Sequence, residues 1–261
     1  MLLRLLSFLP FFLFSSAAVA MQQETAQTLV KVGGYEFEPF VEKGQGITPA
    51  IVTLLNDLQS EYKFEFVSIP AQRRYSLMEG GKIDAVFFEM QRWGWENHQE
   101  HVETTRPLIK ASEAFFALKA NPEGERVFAD IKNKQLALTL GYHYAFADFN
   151  ADQDYISERF NARFAPSQRV ALRLMLAGST DLVILSDIFL YREMARNPAL
   201  KGQVIRAPKV DQEYALPLMV RKNGPITAAR LEKCLDKLEK SGALAAFFAD
   251  FGSASLLISK K

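Results

Sequence analysis

Leu77-Met78-Glu79-Gly80-Gly81-Lys82-Ile83-Asp84-Ala85-Val86 and Leu174-Met175-Leu176-Ala177-Gly178-Ser179-Thr180-Asp181-Leu182-Val183 share one pattern, set 97 residues apart. Each copy reads as the end of a helix, a Gly that can leave it with positive φ, an Asp, and then a buried strand. A single copy is weak, because many helix-to-strand turns look like it. Two copies at this distance predict two lobes of similar build.

The flanks agree with that reading. Upstream of the first copy, Leu29 to Val32 reads as a short buried strand and Lys63 to Ile69 as another. Between them a helix is expected with Thr48 as its N-cap, Pro49 in its first turn and Ile51, Leu54, Leu55 and Leu58 on its apolar face. Arg73 to Glu79 reads as helix, and Ile83 to Phe88 is a continuous apolar run short enough for a fully buried strand. Around the second copy, strands are expected at Gln135–Leu140 and Leu182–Leu185, with a helix at Val170–Leu176. Strands alternating with helices at this spacing mean α/β units with mostly parallel sheets. Glu113 to Lys119 and Tyr214 to Arg221 are the β-like stretches placed to cross between lobes. Helices near 226–240 and 243–251 would then complete the first lobe.

Composition limits the partners. The 261 residues are 49% apolar and 23% charged, an ordinary globular balance. With 31 basic against 30 acidic residues and no basic run, nucleic acid is not an expected partner. Part of the apolar excess belongs to Met1–Ala20, where Arg4 precedes an apolar run of about ten residues and Ala18-Val19-Ala20 forms an A-x-A cleavage pattern. That run is shorter than the roughly 20 residues a spanning helix needs. A signal peptide at 1–20, cleaved after about Ala20, and a periplasmic, monomeric protein are therefore expected. The one cysteine, Cys234, falls in step with Leu231, Leu235 and Leu238 on an inner helix stripe, so it reads as core.

Further segments carry a resemblance. They are Tyr35-Glu36-Phe37-Glu38-Pro39-Phe40 with Gly46 before the first helix, and Gly81-Lys82-Ile83-Asp84-Ala85-Val86 in lobe one. Ala177-Gly178-Ser179-Thr180-Asp181-Leu182-Val183 follows in lobe two, then Tyr214-Ala215-Leu216-Pro217-Leu218-Met219-Val220-Arg221-Lys222 and the turn Ser241-Gly242-Ala243-Leu244. In this order the chain, from about Leu29 to Phe251, resembles the family 3 extracellular solute-binding proteins, the polar amino acid type feeding ABC importers. The resemblance implies an α/β, type II periplasmic-binding fold of two lobes, two crossover strands and a ligand cleft between them. Lobe one would span 28–115 and 213–261, and lobe two 116–212. It implies a small-molecule ligand, amino acid-like or a related carboxylate or amine, and an ABC permease or a membrane sensor as partner. No cofactor and no metal are implied.

The chain departs from the family's usual ligand clamp. Where relatives carry Thr-x-x-Arg after the lobe-one strand, Trp93 and Glu96 stand here. The lobe-two acid that receives an α-ammonium aligns with Ser186, one place before Asp187, and the Gly-Thr-Thr turn is Gly141-Tyr142-His143. The missing cation is expected from Arg73 or Arg74, with Arg73 preferred and Arg92 as rival, although each also reads as a solvated residue. Of Trp93 and Trp95, at least one is expected to line the cleft for stacking or cation–π contact, the other packing inside its lobe. Tyr35 or Phe37 would form a cleft wall, Tyr142 the facing turn. Glu89 and Asp187 end buried strands and could meet a ligand cation or cap a helix.

His98 and His101 stand among Glu96, Glu100 and Glu103 but do not form H-E-x-x-H, and their charged surroundings read as a solvated face. With no G-x-S-x-G, G-x-G-x-x-G or P-loop, a non-enzymatic binder is expected. The alternative is a cleft enzyme of the dehydratase kind, with Glu89 or Asp187 as acid–base.

Overall fold

The structure is a computed structural model that describes residues 26–250 and 254–258. The expected leader, Met1–Ala20, lies outside the described residues. In chain order the first elements are β1 (Thr28–Gly34), α1 (Ile47–Leu58), β2 (Tyr62–Ser68), α2 (Arg74–Glu79), β3 (Ala85–Phe87) and β4 (Val102–Thr104). Next come β5 (Ile109–Leu118), β6 (Leu136–Thr139), α3 (Gln153–Ser157), β7 (Ala162–Ala165), α4 (Gln168–Leu176), β8 (Leu182–Ser186), α5 (Asp187–Arg196) and β9 (Val204–Leu216). β10 (Leu218–Arg221), α6 (Ala228–Lys240) and α7 (Ala243–Asp250) follow.

The strands form two five-stranded sheets of matching plan. The first runs β2-β1-β3-β10-β4 and the second β7-β6-β8-β5-β9. In each, three strands are parallel and the fourth enters antiparallel: β10 against β3, and β5 against β8. This is the two-lobed, type II periplasmic-binding fold.

The repeated sequence pattern is a repeated piece of structure. Gly81 and Gly178 both have positive φ, 63° and 69°. Lys82 N–H donates to Leu77 O at 2.8 Å and Ser179 N–H to Leu174 O at 2.9 Å, the same helix-ending bond in both lobes. Asp84 Oδ2 accepts from Lys31 N–H at 2.9 Å, and Asp181 Oδ2 accepts from Gln135 N–H at 2.8 Å. The backbone N–H of each Asp donates in return to Lys31 O (2.7 Å) and Gln135 O (2.8 Å). Each Asp thus fastens the helix-to-strand turn to the neighbouring parallel strand of its sheet.

Two expectations need correction. Helix α1 is capped by Gly46 at φ 122°, with no side-chain cap bond. Thr48 is therefore inside the helix and buried, and Ile47, Ile51, Val52 and Leu55 form the buried face, while Leu58 is 39% exposed. The first crossing also comes earlier than 113–119, whereas the return falls inside the expected 214–221. β5 pairs with β9 from Ile109↔Leu216 to Leu118↔Val204, so both belong to the second sheet over their whole lengths. The chain passes between sheets at 105–108 and returns at Pro217, where Leu218 N–H donates to Thr105 Oγ1 at 3.0 Å and Leu108 N–H to Leu216 O at 2.9 Å.

One apolar core serves the first sheet, built on Val30, Val32, Ile51, Leu55, Val86, Leu218, Leu231, Leu235 and Phe248. Cys234 lies in it. The second sheet is covered on both faces: Ala171, Leu172, Met175, Phe189 and Leu190 on one, Val127, Tyr144, Ile156 and Phe160 on the other. Among the described residues no helix is long and apolar enough to cross a membrane.

Candidate functional site

In open α/β sheets the carboxyl ends of parallel strands are where backbone turns away and side chains converge. Here the two sheets present those ends to each other. After β1 the chain turns through Tyr35, Phe37 and Glu38, and after β3 through Glu89 to Trp93. From the second sheet come the turn Gly141-Tyr142-His143 after β6, Glu113 on β5 and Gln212 on β9. Tyr35, Phe37, Arg74, Trp93, Glu113, Gly141, Tyr142 and His143 surround one interlobe cavity. What remains open between them has room for about one water molecule.

The protein's own rings fill the rest. Phe37 meets Trp93 edge-on at 5.7 Å between centroids and Tyr142 edge-on at 5.5 Å. Tyr142 Oη donates across the cleft to Glu36 O at 3.1 Å. Trp93 Nε1 donates to Gln212 Oε1 at 3.1 Å, and Gln212 Nε2 donates to Glu113 Oε2 at 3.0 Å and to His143 O at 2.7 Å. His143 Nδ1 lies 2.6 Å from Phe149 O, which places the proton there; its Nε2 lies 3.0 Å from Tyr75 Oη, whose own proton goes to Trp93 O.

Two charge systems sit at the cavity, and they differ. Arg74 is 1% exposed and lies 3.4 Å (Nε) from Glu89 Oε2. Its Nη1 and Nη2 donate to Ala71 O and Trp93 O, and its guanidinium lies over the rings of Tyr75 (4.4 Å) and Tyr35 (5.0 Å). Glu89, fully buried, also accepts from Trp95 Nε1 at 2.6 Å. Burial pushes its carboxyl up, and Arg74 pulls it back. Glu113 has no such compensation. Among the described residues no cation lies within 4 Å of it, and burial, with Asp211 and Asp187 adding repulsion, raises its carboxyl well above the usual range. Burial and the nearby Arg74 charge lower His143 to about 4.

Of the residues singled out from sequence, Tyr35, Phe37, Trp93 and Tyr142 line the cavity. Arg73 does not. It is exposed at the start of α2, and Arg74, one position on, points inward; a rotation of one residue on a short helix decides which side chain is buried. Arg92 is exposed, its guanidinium 5.7 Å from the Phe149 ring. Trp95 is 1% exposed inside lobe one, against Tyr75 and His98, and Glu89 lies beside it under the cavity floor. Asp187 is placed elsewhere. It forms a side-on pair with Arg206, Nε–Oδ1 and Nη2–Oδ2 both 2.8 Å, and accepts from Ser112 Oγ in a separate surface depression beside Tyr191. His98 pairs with Glu79 at 2.5 Å, and among the described residues no group of three or more His, Cys, Asp or Glu is placed to hold a metal ion.

Gln212 left no signal in the sequence; Glu113 stood there only as the first residue of the crossing stretch Glu113 to Lys119, and His143 only as the last residue of the turn Gly141-Tyr142-His143, neither as a site residue.

Comparison with known proteins agrees with this architecture. Residues 31–254 match the family model described as bacterial extracellular solute-binding proteins, family 3. No curated protein matches the chain. Among solved structures, Tv2483 bound to L-arginine is 16% identical with a TM-score of 0.67, covering 88% of this chain and 93% of that one. An ancestral arginine-binding protein bound to arginine is 19% identical (TM-score 0.66, 86% and 98% covered). The GluR0 ligand-binding core with L-glutamate is 16% identical (TM-score 0.66, 87% and 98% covered). With two lobes of repeated plan, two crossings and a family match over most of its length, this chain belongs to the bacterial extracellular solute-binding proteins, family 3.

Proposed function

We propose that the protein is an exported solute-binding protein that captures a small polar molecule bearing a cationic amine or guanidinium between its lobes. It would hand that molecule to a membrane partner, an ABC permease or a sensor, without chemical turnover. The observation that carries the ligand class is Glu113. Arg74 is matched by Glu89, so the titratable group left without an opposite charge at the cavity is the buried carboxyl of Glu113, with one amide partner. A ligand cation would favour its ionised form, and the faces of Tyr35, Trp93 and Tyr142 suit cation–π contact. The arginine-bound structural relatives support the same class. Periplasmic export rests on the leader Met1–Ala20. For the lobes we propose 28–104 with 218–250, and 109–216, following the sheets and the core of the first.

The reading is tested by calorimetric titration of the exported protein with L-arginine, a diamine and, as controls, L-glutamate and a dicarboxylate. Saturable heat is expected from one of the first two and not from the dicarboxylate, and Glu113→Gln should lower that affinity at least tenfold while keeping the fold. Dicarboxylate binding that Glu113→Gln leaves intact would overturn the cation assignment. Burial shifts the Glu113 carboxyl toward its protonated form, which is also what an acid catalyst needs, so product formed at catalytic protein concentrations would favour a cleft enzyme instead.

A further inference from the structure

The lobes touch through more than the rings in the cleft. Glu38 follows β1 in lobe one, is 2% exposed, and sends its carboxylate to the first turn of α4 in lobe two. Gln168 N–H donates to Oε2 at 2.8 Å, and Arg169 N–H to Oε1 at 3.4 Å. Gln168 Nε2 donates to Glu38 O at 2.8 Å, while its Oε1 accepts from Ser186 N–H at 2.7 Å, which fixes the orientation of that amide. Unpaired N–H groups and the macrodipole make a helix N-terminus a site for anions. In this protein the anion is its own.

A second set of charges stands beside the first. Arg169 of lobe two pairs with Glu42 of lobe one at 2.5 Å and with Glu193 of its own lobe, and Arg196 reaches the same two carboxylates at 3.5 and 2.9 Å. Glu42, Glu38 and the Tyr142–Glu36 bond thus all join the lobes, whose shared cavity has room for about one water molecule.

We propose that Glu38 is an internal latch: its carboxylate, seated on the N-terminus of α4, holds the lobes closed without any solute between them. The open form is then the minor one, and solute entry must compete with closure by the chain itself. Apparent affinity falls by the fraction of molecules that are open. A membrane partner that recognises the closed surface meets it before solute arrives. The latch does not depend on the ligand class proposed above.

Small-angle X-ray scattering of the exported chain, with no solute added, tests it. The wild type should scatter as the compact, closed form. Glu38→Gln, which keeps an acceptor oxygen without the charge, and Glu38→Ala should both give a larger radius of gyration and a broader pair-distance distribution, with circular dichroism unchanged. If Glu38→Ala fails to fold, Glu38→Gln decides. A wild type already as expanded as the variants, or variants as compact as the wild type, overturns the latch. Calorimetry with Glu113→Gln is independent of this result, so the two proposals can fail separately.

Discussion

Glu113 and His143 sit at one cavity and titrate with opposite consequences. Each is shifted toward its neutral form by burial, Glu113 upward and His143 down to about 4. A raised carboxyl contributes stability that is fully present below its ordinary value of 4.5 and is lost as pH rises through the folded value. A depressed imidazole contributes stability that is present above 6.5 and is lost as pH falls toward about 4, about 3 kcal/mol at most. The charged groups near them are Arg74, Glu89, Asp211 and Asp187. Urea denaturation across pH should therefore show Glu113→Gln gaining on the wild type as pH rises above about 5, and His143→Gln losing less than the wild type below pH 6. Parallel curves for all three proteins would contradict these assignments. The residue scale is also where sequence reading stops. The sequence favours Arg73 over Arg74, but the phase of a six-residue helix after a single 3-10 turn leaves Arg73 exposed and buries Arg74.

At the scale of elements, the two turns ending in Asp84 and Asp181 do the same work with different surroundings. Asp181 accepts from Gln135 N–H, whereas Asp84 accepts from Lys31 N–H and also pairs with Arg221 at 2.6 Å. Hydrogen bonds to a charged acceptor contribute about 1.5–3 kcal/mol, so Asp181→Ala should cost about 2 kcal/mol and Asp84→Ala more, because Arg221 loses its partner. Chemical denaturation measures both, and costs within ±0.5 kcal/mol of zero would mean these turns are ordinary surface positions. These elements were legible in the sequence because their signals are local: a Gly after a helix, an Asp, an apolar run. The start of β5 was not. Its residues Ile109-Lys110-Ala111-Ser112 carry no continuous apolar signal, and only pairing with Tyr214, Ala215 and Leu216 makes them strand.

For the whole molecule, closure depends on how near two turns can come. Gly141 of lobe two has φ 78°, and a Cβ there would lie 3.3 Å from Ala71 Cβ and 3.5 Å from Gln72 Cγ of lobe one. Gly178, in the same lobe at φ 69°, has open space around it. Both alanine substitutions cost the roughly 1–2 kcal/mol of a left-handed residue, but only Gly141→Ala should also shift scattering toward the expanded form. Equal scattering from the two variants would mean that this contact does not limit closure. None of this could be read from the chain, because the filling of the cleft is set by the placement of two lobes rather than by any run of residues. Trp93 and Trp95, the two tryptophans of the protein, stand on opposite sides of that event. Trp93 holds Gln212 across the cleft and would meet water on opening, while Trp95 stays packed against Tyr75 inside lobe one. The protein therefore carries its own optical gauge: with Trp95→Phe, a red shift of the remaining indole emission reports lobe separation without any attached label.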